Sequence, residues 1–160
     1  MIVRLSLICH ASTAAVRVAA FPADEALDPQ GEASLAALAA TGSLPADQGW
    51  SVPELRARQT AAALGLSTTT DDRLGDCDYG RWRGSTLATV QAREPDAVRS
   101  WLADPAAAAP HGGESLLALL TRVGDWLGLL PSSAPPSTRI IAVTHPAVIR
   151  ASVRPRRRSP

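Results

Sequence analysis

Two β-rich runs that each end in a histidine limit what this chain can become. Ile2 to Ile8 leads into Cys9-His10-Ala11-Ser12-Thr13 near the amino end, and Arg139 to Val143 leads into Thr144-His145-Pro146 near the other. Runs this apolar fit strands buried in a mostly parallel sheet, and the carboxyl ends of such strands carry the ligand-binding loops of an open α/β fold. Two of only three histidines therefore occupy equivalent positions.

At 160 residues and 46% hydrophobic, the chain has room for one compact domain with a real core, expected over residues 1–153. The net charge of +1 is misleading, because Arg154, Arg156, Arg157 and Arg158 crowd the last seven residues. Without those four charges the body stands at −3, which argues against a nucleic-acid surface. The segment 154–160 reads as a basic, disordered tail. There is no lysine, so any phosphate site must use arginine or histidine. Cys9 and Cys77 lack metal-site or CxxC spacing and fit free thiols in a reducing compartment. His10 and Arg17 break any signal-peptide core, and no run is long enough to span a membrane, so the expected location is cytoplasmic.

Between the two histidine strands, helices and short strands alternate. Ser12 to Ala26 reads as a broken loop across the sheet's carboxyl edge. Asp28 as N-cap and Pro29 as first helical residue predict a helix to Thr41, closed by Gly42. Gly49 to Val52 reads as a strand, Leu55 to Leu64 as a helix ended by Gly65, and Thr68 to Thr70 as β-prone. Asp72 to Gly84 reads as a loop; Ser85 is expected to cap a helix through Arg93, and Asp96 another through Ala103. Pro105 to Gly113 is expected to be a flap. From Glu114-Ser115, Leu116, Leu119, Leu120, Val123, Trp126, Leu127 and Leu130 fall at helical spacing and read as core. Pro131 to Ser137 reads as a linker, and Pro146 to Val153 as a closing helix with proline in its first turn.

Two histidines at strand ends, each beside a hydroxyl, can converge on one small anion, with helix amino termini adding N–H donors. Arginine supplies a planar fork for phosphate oxygens, and Arg56 begins the helix after the second strand. A neutral imidazole can attack phosphorus while a carboxylic acid protonates the leaving oxygen; Asp72, Asp76 and Asp78 are the candidate acids.

These segments together resemble the histidine phosphatase superfamily, the phosphoglycerate-mutase-like fold. The matching residues are His10; Arg56-Ala57-Arg58-Gln59-Thr60; Asp76 with Gly80, Trp82 and Gly84; Gly112-Gly113-Glu114-Ser115; and Thr144-His145. Five segments in order are far more specific than any one of them. The resemblance implies a three-layer α/β/α fold with a mostly parallel central sheet. It implies His10 as the nucleophile that becomes phosphohistidine, His145 as the second pocket histidine, Arg56 as the pocket arginine and Asp76 in the place of the proton-donating glutamate. Ser12, Thr13, Arg17 and Thr144 are the expected substrate-binding residues. The implied activity is hydrolysis of a small phosphomonoester with no cofactor and no metal. Small sugar phosphates, nucleotide-related esters and phosphorylated proteins all fit, and no oligomeric state is specified.

Departures from the family pattern favour a second reading, a member that binds a phosphorylated ligand or partner protein without turnover. The arginine before the nucleophile is Cys9, the following glycine is Ala11, and Pro146 replaces the glycine after the second histidine. Loss of one preorganised donor to a transferring phosphoryl group costs about 2.7–4 kcal/mol, or roughly 10² to 10³ in rate. Arg17 is the expected substitute. After the second histidine's helix the chain is short, so the last edge strand of the sheet is expected to be absent, exposing backbone groups. Cys9 itself is expected to be a small, partly buried strand-end residue.

Overall fold

A computed structural model describes residues 3–106, 108–133 and 137–153. The expected basic tail at 154–160 lies outside the described residues. Four strands, β1 (Arg4–Cys9), β2 (Gln48–Ser51), β3 (Thr69–Thr70) and β4 (Arg139–Thr144), form one parallel sheet in the order β1-β4-β2-β3. Among the described residues seven α-helices connect and cover them: α1 (Ala14–Arg17), α2 (Pro29–Ala39), α3 (Leu55–Ala63), α4 (Leu87–Arg93), α5 (Pro95–Ala103), α6 (Leu116–Ser133) and α7 (Pro146–Ser152).

Strand order fixes the layers. The connections from β1 through α2 to β2, and from β2 through α3 to β3, both step toward the same edge, whereas the return from β3 to β4 steps back. Right-handed crossovers then put α2 and α3 on one face and α6 on the other, and α2 packs on α3 as α6 packs on α7. Between these layers β4 is buried from Ile140 to Thr144, as a central strand with both faces covered must be. Among the described residues no strand lies outside β1, which alternates between exposed Arg4 and Ser6 and half-buried Leu5 and Leu7.

Local chemistry explains most boundaries. Asp28 caps α2 by accepting from Gly31 N at 2.7 Å, with Pro29 in the first turn. Gly31 is required, because a Cβ there would overlap the Ser12 carbonyl oxygen. The apolar stripe of α6 puts Leu119, Val123, Trp126 and Leu130 in the core with Val52, Leu74, Ile140, Val143 and Val148.

Several sequence expectations need correction. The loop after β1 contains the one-turn helix α1, capped by Thr13. Thr86, not Ser85, caps α4 through its hydroxyl, because it is the residue placed to accept from Thr89 N. Asp96 does not cap α5: the helix starts one residue earlier at Pro95, and Asp96 lies in its first turn paired with Arg99. Pro131 does not begin a linker; α6 runs on to Ser133. The stretch Pro105 to Gly113 is not a free flap at its carboxyl end. His111 is buried there against Trp82 and Trp101, its carbonyl accepts from Arg81 N at 3.0 Å, and Arg81 also reaches the Pro110 carbonyl. Two glycines permit this closure: a Cβ on Gly80 (φ +48°) would overlap the His111 carbonyl, and one on Gly113 would overlap the Asp78 carbonyl.

Candidate active site

The register of β1 on β4 sets the site. Cys9 pairs with Thr144, and His10 N donates to Thr144 O at 3.0 Å, so His10 and His145 leave the sheet at the same level. Their ring centroids are 5.1 Å apart, edge to face.

His10 is held in one tautomer. Its Nδ1 lies 2.8 Å from the Ala11 carbonyl oxygen, which can only accept, so Nδ1 carries the hydrogen and Nε2 of the neutral ring keeps its lone pair. Burial pushes the His10 pKa down; the Ala11 bond opposes this, and the His145 and Arg56 charges reinforce it. The loop after His10 is fixed from α3: Ala11 N donates to Thr60 Oγ1 at 3.0 Å, and Thr60 Oγ1 donates to the Arg56 carbonyl at 2.8 Å. Thus the Arg-Ala-Arg-Gln-Thr segment supplies both a cation and the brace for the nucleophile's loop, while Gln59 Oε1 accepts from Leu27 N.

Arg56 is 1% exposed and links the other members. Its Nη2 lies 3.2 Å from His145 Nδ1 and 3.3 Å from Asp76 Oδ2, and its Nη1 donates to the Ala23 carbonyl at 2.8 Å. Arg56 Nε is buried with no hydrogen-bond partner among the described residues, which leaves one desolvated donor on the guanidinium. Asp76 is fixed by its own loop: Oδ1 accepts from Cys77 N at 2.9 Å, and Arg122 Nη2 donates to the Asp76 carbonyl at 3.2 Å. Arg122 is itself held by Glu114 at 2.8 Å, so the Gly-Gly-Glu-Ser segment acts on the site by pinning the acid-bearing loop.

Glu54 is a site residue that sequence reasoning missed. It sits just before α3, with Oε1 at 3.4 Å from His145 Nε2 and accepting from Asp76 N at 3.3 Å. Burial pushes its carboxyl up, but the neighbouring His145 and the Asp76 N–H outweigh this and hold it at about 2. It stands just before the helix that the sequence predicts from Leu55, and nothing in that local pattern points to a partner 91 residues away.

Of the eight expected site residues, His10, Arg56, Asp76 and His145 come together. The other four have different partners. Ser12 Oγ donates to Asp28 at 3.0 Å; Thr13 caps α1 and donates to Glu25 at 3.0 Å; Thr144 is fully buried and donates to the Leu74 carbonyl at 2.6 Å. Arg17 is exposed on α1, where its charge acts on Asp28, and it does not line the cavity that His10 and Asp76 share. Arg150 does line that cavity, together with Tyr79, Pro146 and Ala147; its volume is about 130 Å³. Cys9 ends β1 with its surface exposed, yet its thiol sits partly shielded beside Asp76 and Arg150. Loss of hydration raises its thiol pKa, as does Asp76, while Arg150 and Arg56 pull the other way. Pro146, at the first position of α7, occupies a place where the helix requires no N–H. Among the described residues no group of three or more His, Cys, Asp or Glu is placed to hold a metal ion.

A parallel α/β sheet that brings two histidines into contact at its carboxyl edge, with a buried arginine against the second, defines the phosphoglycerate-mutase-like class. The chain belongs to the histidine phosphatase superfamily (branch 1), whose family model matches residues 5–155. It is 35% identical over 107 residues to glucosyl-3-phosphoglycerate phosphatase of Mycobacterium tuberculosis, a match covering 60% of this chain and 48% of that protein. To phosphoserine phosphatase 1 of Hydrogenobacter thermophilus it is 30% identical over 97 residues, covering 61% and 46%. The solved structure of mycobacterial glucosyl-3-phosphoglycerate phosphatase in complex with VO3 superposes with a TM-score of 0.76 at 28% identity, covering 91% of this chain and 77% of that one. The matched stretches amount to less than half of these curated relatives' own length. Among the described residues no helix is long and apolar enough to cross a membrane.

Proposed function

We propose that the protein is a phosphomonoester hydrolase acting through a phosphohistidine. The observation that carries this reading is His10: a buried imidazole whose Nδ1 is tied to the Ala11 carbonyl, leaving Nε2 as an in-place nucleophile beside His145, Arg56 and Asp76. In the first step Nε2 attacks phosphorus, the P–O bond to the alcohol breaks, and Asp76 as the acid gives its proton to the departing oxygen. In the second, water attacks the phosphohistidine, its proton passes to Asp76, and the N–P bond breaks to release phosphate. Arg56 and His145 stabilise the charge on the equatorial oxygens, and Glu54 orients His145. The substrate is a small phosphorylated molecule and no cofactor takes part. The free thiols Cys9 and Cys77 support a cytoplasmic location.

Labelled phosphate trapped on the protein by rapid acid-free quench, and absent from His10→Ala, is the expected result; steady hydrolysis without labelled His10 would refute the mechanism. The second reading, binding without turnover, is favoured by exposed Cys9 where the family places an arginine. It predicts that only Cys9→Arg hydrolyses an aryl phosphate.

A further inference from the structure

The cavity holding His10 is one of three that meet along the same wall. A chamber of about 380 Å³ adjoins it and shares Tyr79, Ala147 and Arg150 with it. Its other walls include Trp101, Leu102, Leu116, Leu119 and Leu120. A second apolar recess of about 270 Å³, between Phe21, Leu87, Val98 and Leu102, also shares Tyr79 with the site. Neither chamber has an acidic side chain in its lining, and Arg150 is the one charged residue lining either. A volume and lining of this kind suit a mostly apolar organic group oriented by a single polar anchor. Arg150 makes no ion pair among the described residues and stands at the wall between chamber and nucleophile.

Resting on the phosphatase reading above, we propose that the larger chamber receives the alcohol portion of the substrate as a bulky apolar group, aryl or branched alkyl. Arg150 faces the phosphoryl group at the chamber's mouth, on the side where Cys9 leaves the first strand without a cation. The substrate class is therefore a phosphomonoester of an apolar alcohol rather than of an amino acid or a sugar acid. Trp101 fits this use in a second way. Its indole is buried, lines both chambers, and has an Nε1–H with no hydrogen-bond partner among the described residues.

Non-hydrolysable phosphonates read binding whether or not the protein turns over. Titration calorimetry compares 1-naphthylmethylphosphonate, methylphosphonate and 2-amino-3-phosphonopropionate on the full chain. The naphthyl compound is expected to bind at least tenfold more tightly than either of the others. Leu102 is 61% exposed and lines both chambers, so Leu102→Asp tests the chamber without emptying the core. It is expected to bring the naphthyl compound's advantage over methylphosphonate down to threefold or less. Arg150→Ala is expected to weaken all three phosphonates alike, by tenfold or more. Equal affinities, or tighter binding of the amino-acid phosphonate, would overturn the assignment of the chamber, and unchanged binding by Arg150→Ala would overturn that of the arginine. Hydrolysis of 1-naphthyl phosphate in parallel separates the two levels: binding without hydrolysis removes the phosphatase reading and leaves the chamber, whereas hydrolysis without naphthyl preference does the reverse.

Discussion

At the scale of single residues, the site is a set of paired groups whose partners decide what each can do. His10 must be neutral to attack, and burial already lowers its pKa from the ordinary 6.5. The acid limb of kcat/KM is therefore expected below pH 6.5, with activity retained as pH falls from 8 to 6.5; a limb centred above 6.5 would contradict the buried, neutral nucleophile. Glu54 titrates near 2 in the fold against about 4.5 when free, so its pairing with His145 adds stability above pH 4.5 that is lost as pH falls toward 2. Chemical denaturation at several pH values should show Glu54→Gln less stable than wild type at pH 6, by about 2 kcal/mol, with the gap narrowing through that window. Arg56→Ala removes the donor shared by His145 and Asp76 and is expected to lower kcat by roughly 10² to 10³. Thr60 braces Ala11 from α3; the sequence marked it as part of the Arg-Ala-Arg-Gln-Thr segment but gave no partner for its hydroxyl.

At the scale of elements, the helices were legible because their signals are local. Asp28-Pro29 marks the start of α2, and the leucine spacing of α6 marks its buried face, whatever the rest of the chain does. Asp28→Ala should cost about 1 kcal/mol in thermal or chemical unfolding, the usual loss for a cap. The loop before α6 was misread for the opposite reason. Pro105 to Gly113 is rich in alanine and proline, which says only that it is neither helix nor strand, whereas its fixed end depends on His111 meeting Trp82, Trp101 and Arg81. The Gly80 and Gly113 turns pass too closely for side chains, so Gly113→Ala is expected to destabilise the protein by 1–3 kcal/mol. Because the same turns carry the loop of Asp76, hydrolysis should fall as well; a variant as stable as wild type would show that the two turns do not interlock.

At the scale of the whole molecule, the parallel sheet brings residues from both ends of the chain to one edge. β1 pairs only with β4 among the described residues, with Arg4 and His10 amides directed at β4. By the alternation of a strand, the Leu5 and Leu7 amides point away from it. Hydrogen exchange at Leu5 and Leu7 is expected to be at least a hundredfold faster than at Ser6 and Ile8; equal protection would reveal a partner on that edge. By itself the sequence determined the parallel α/β class, the course of the longer helices and which four side chains to look for at the site, because strand composition, apolar spacing and motif residues are properties of short segments. It also marked Cys9 as the missing cation, but it pointed to Arg17 as the replacement because Arg17 is near in sequence. Only the tertiary structure set Arg150, 140 residues from His10, beside the nucleophile's cavity, turned Thr144 onto the Leu74 carbonyl, and put Glu54 behind His145. Those choices follow from strand register and helix packing, which are decided by burial summed over the whole core and leave no mark in any one stretch of chain.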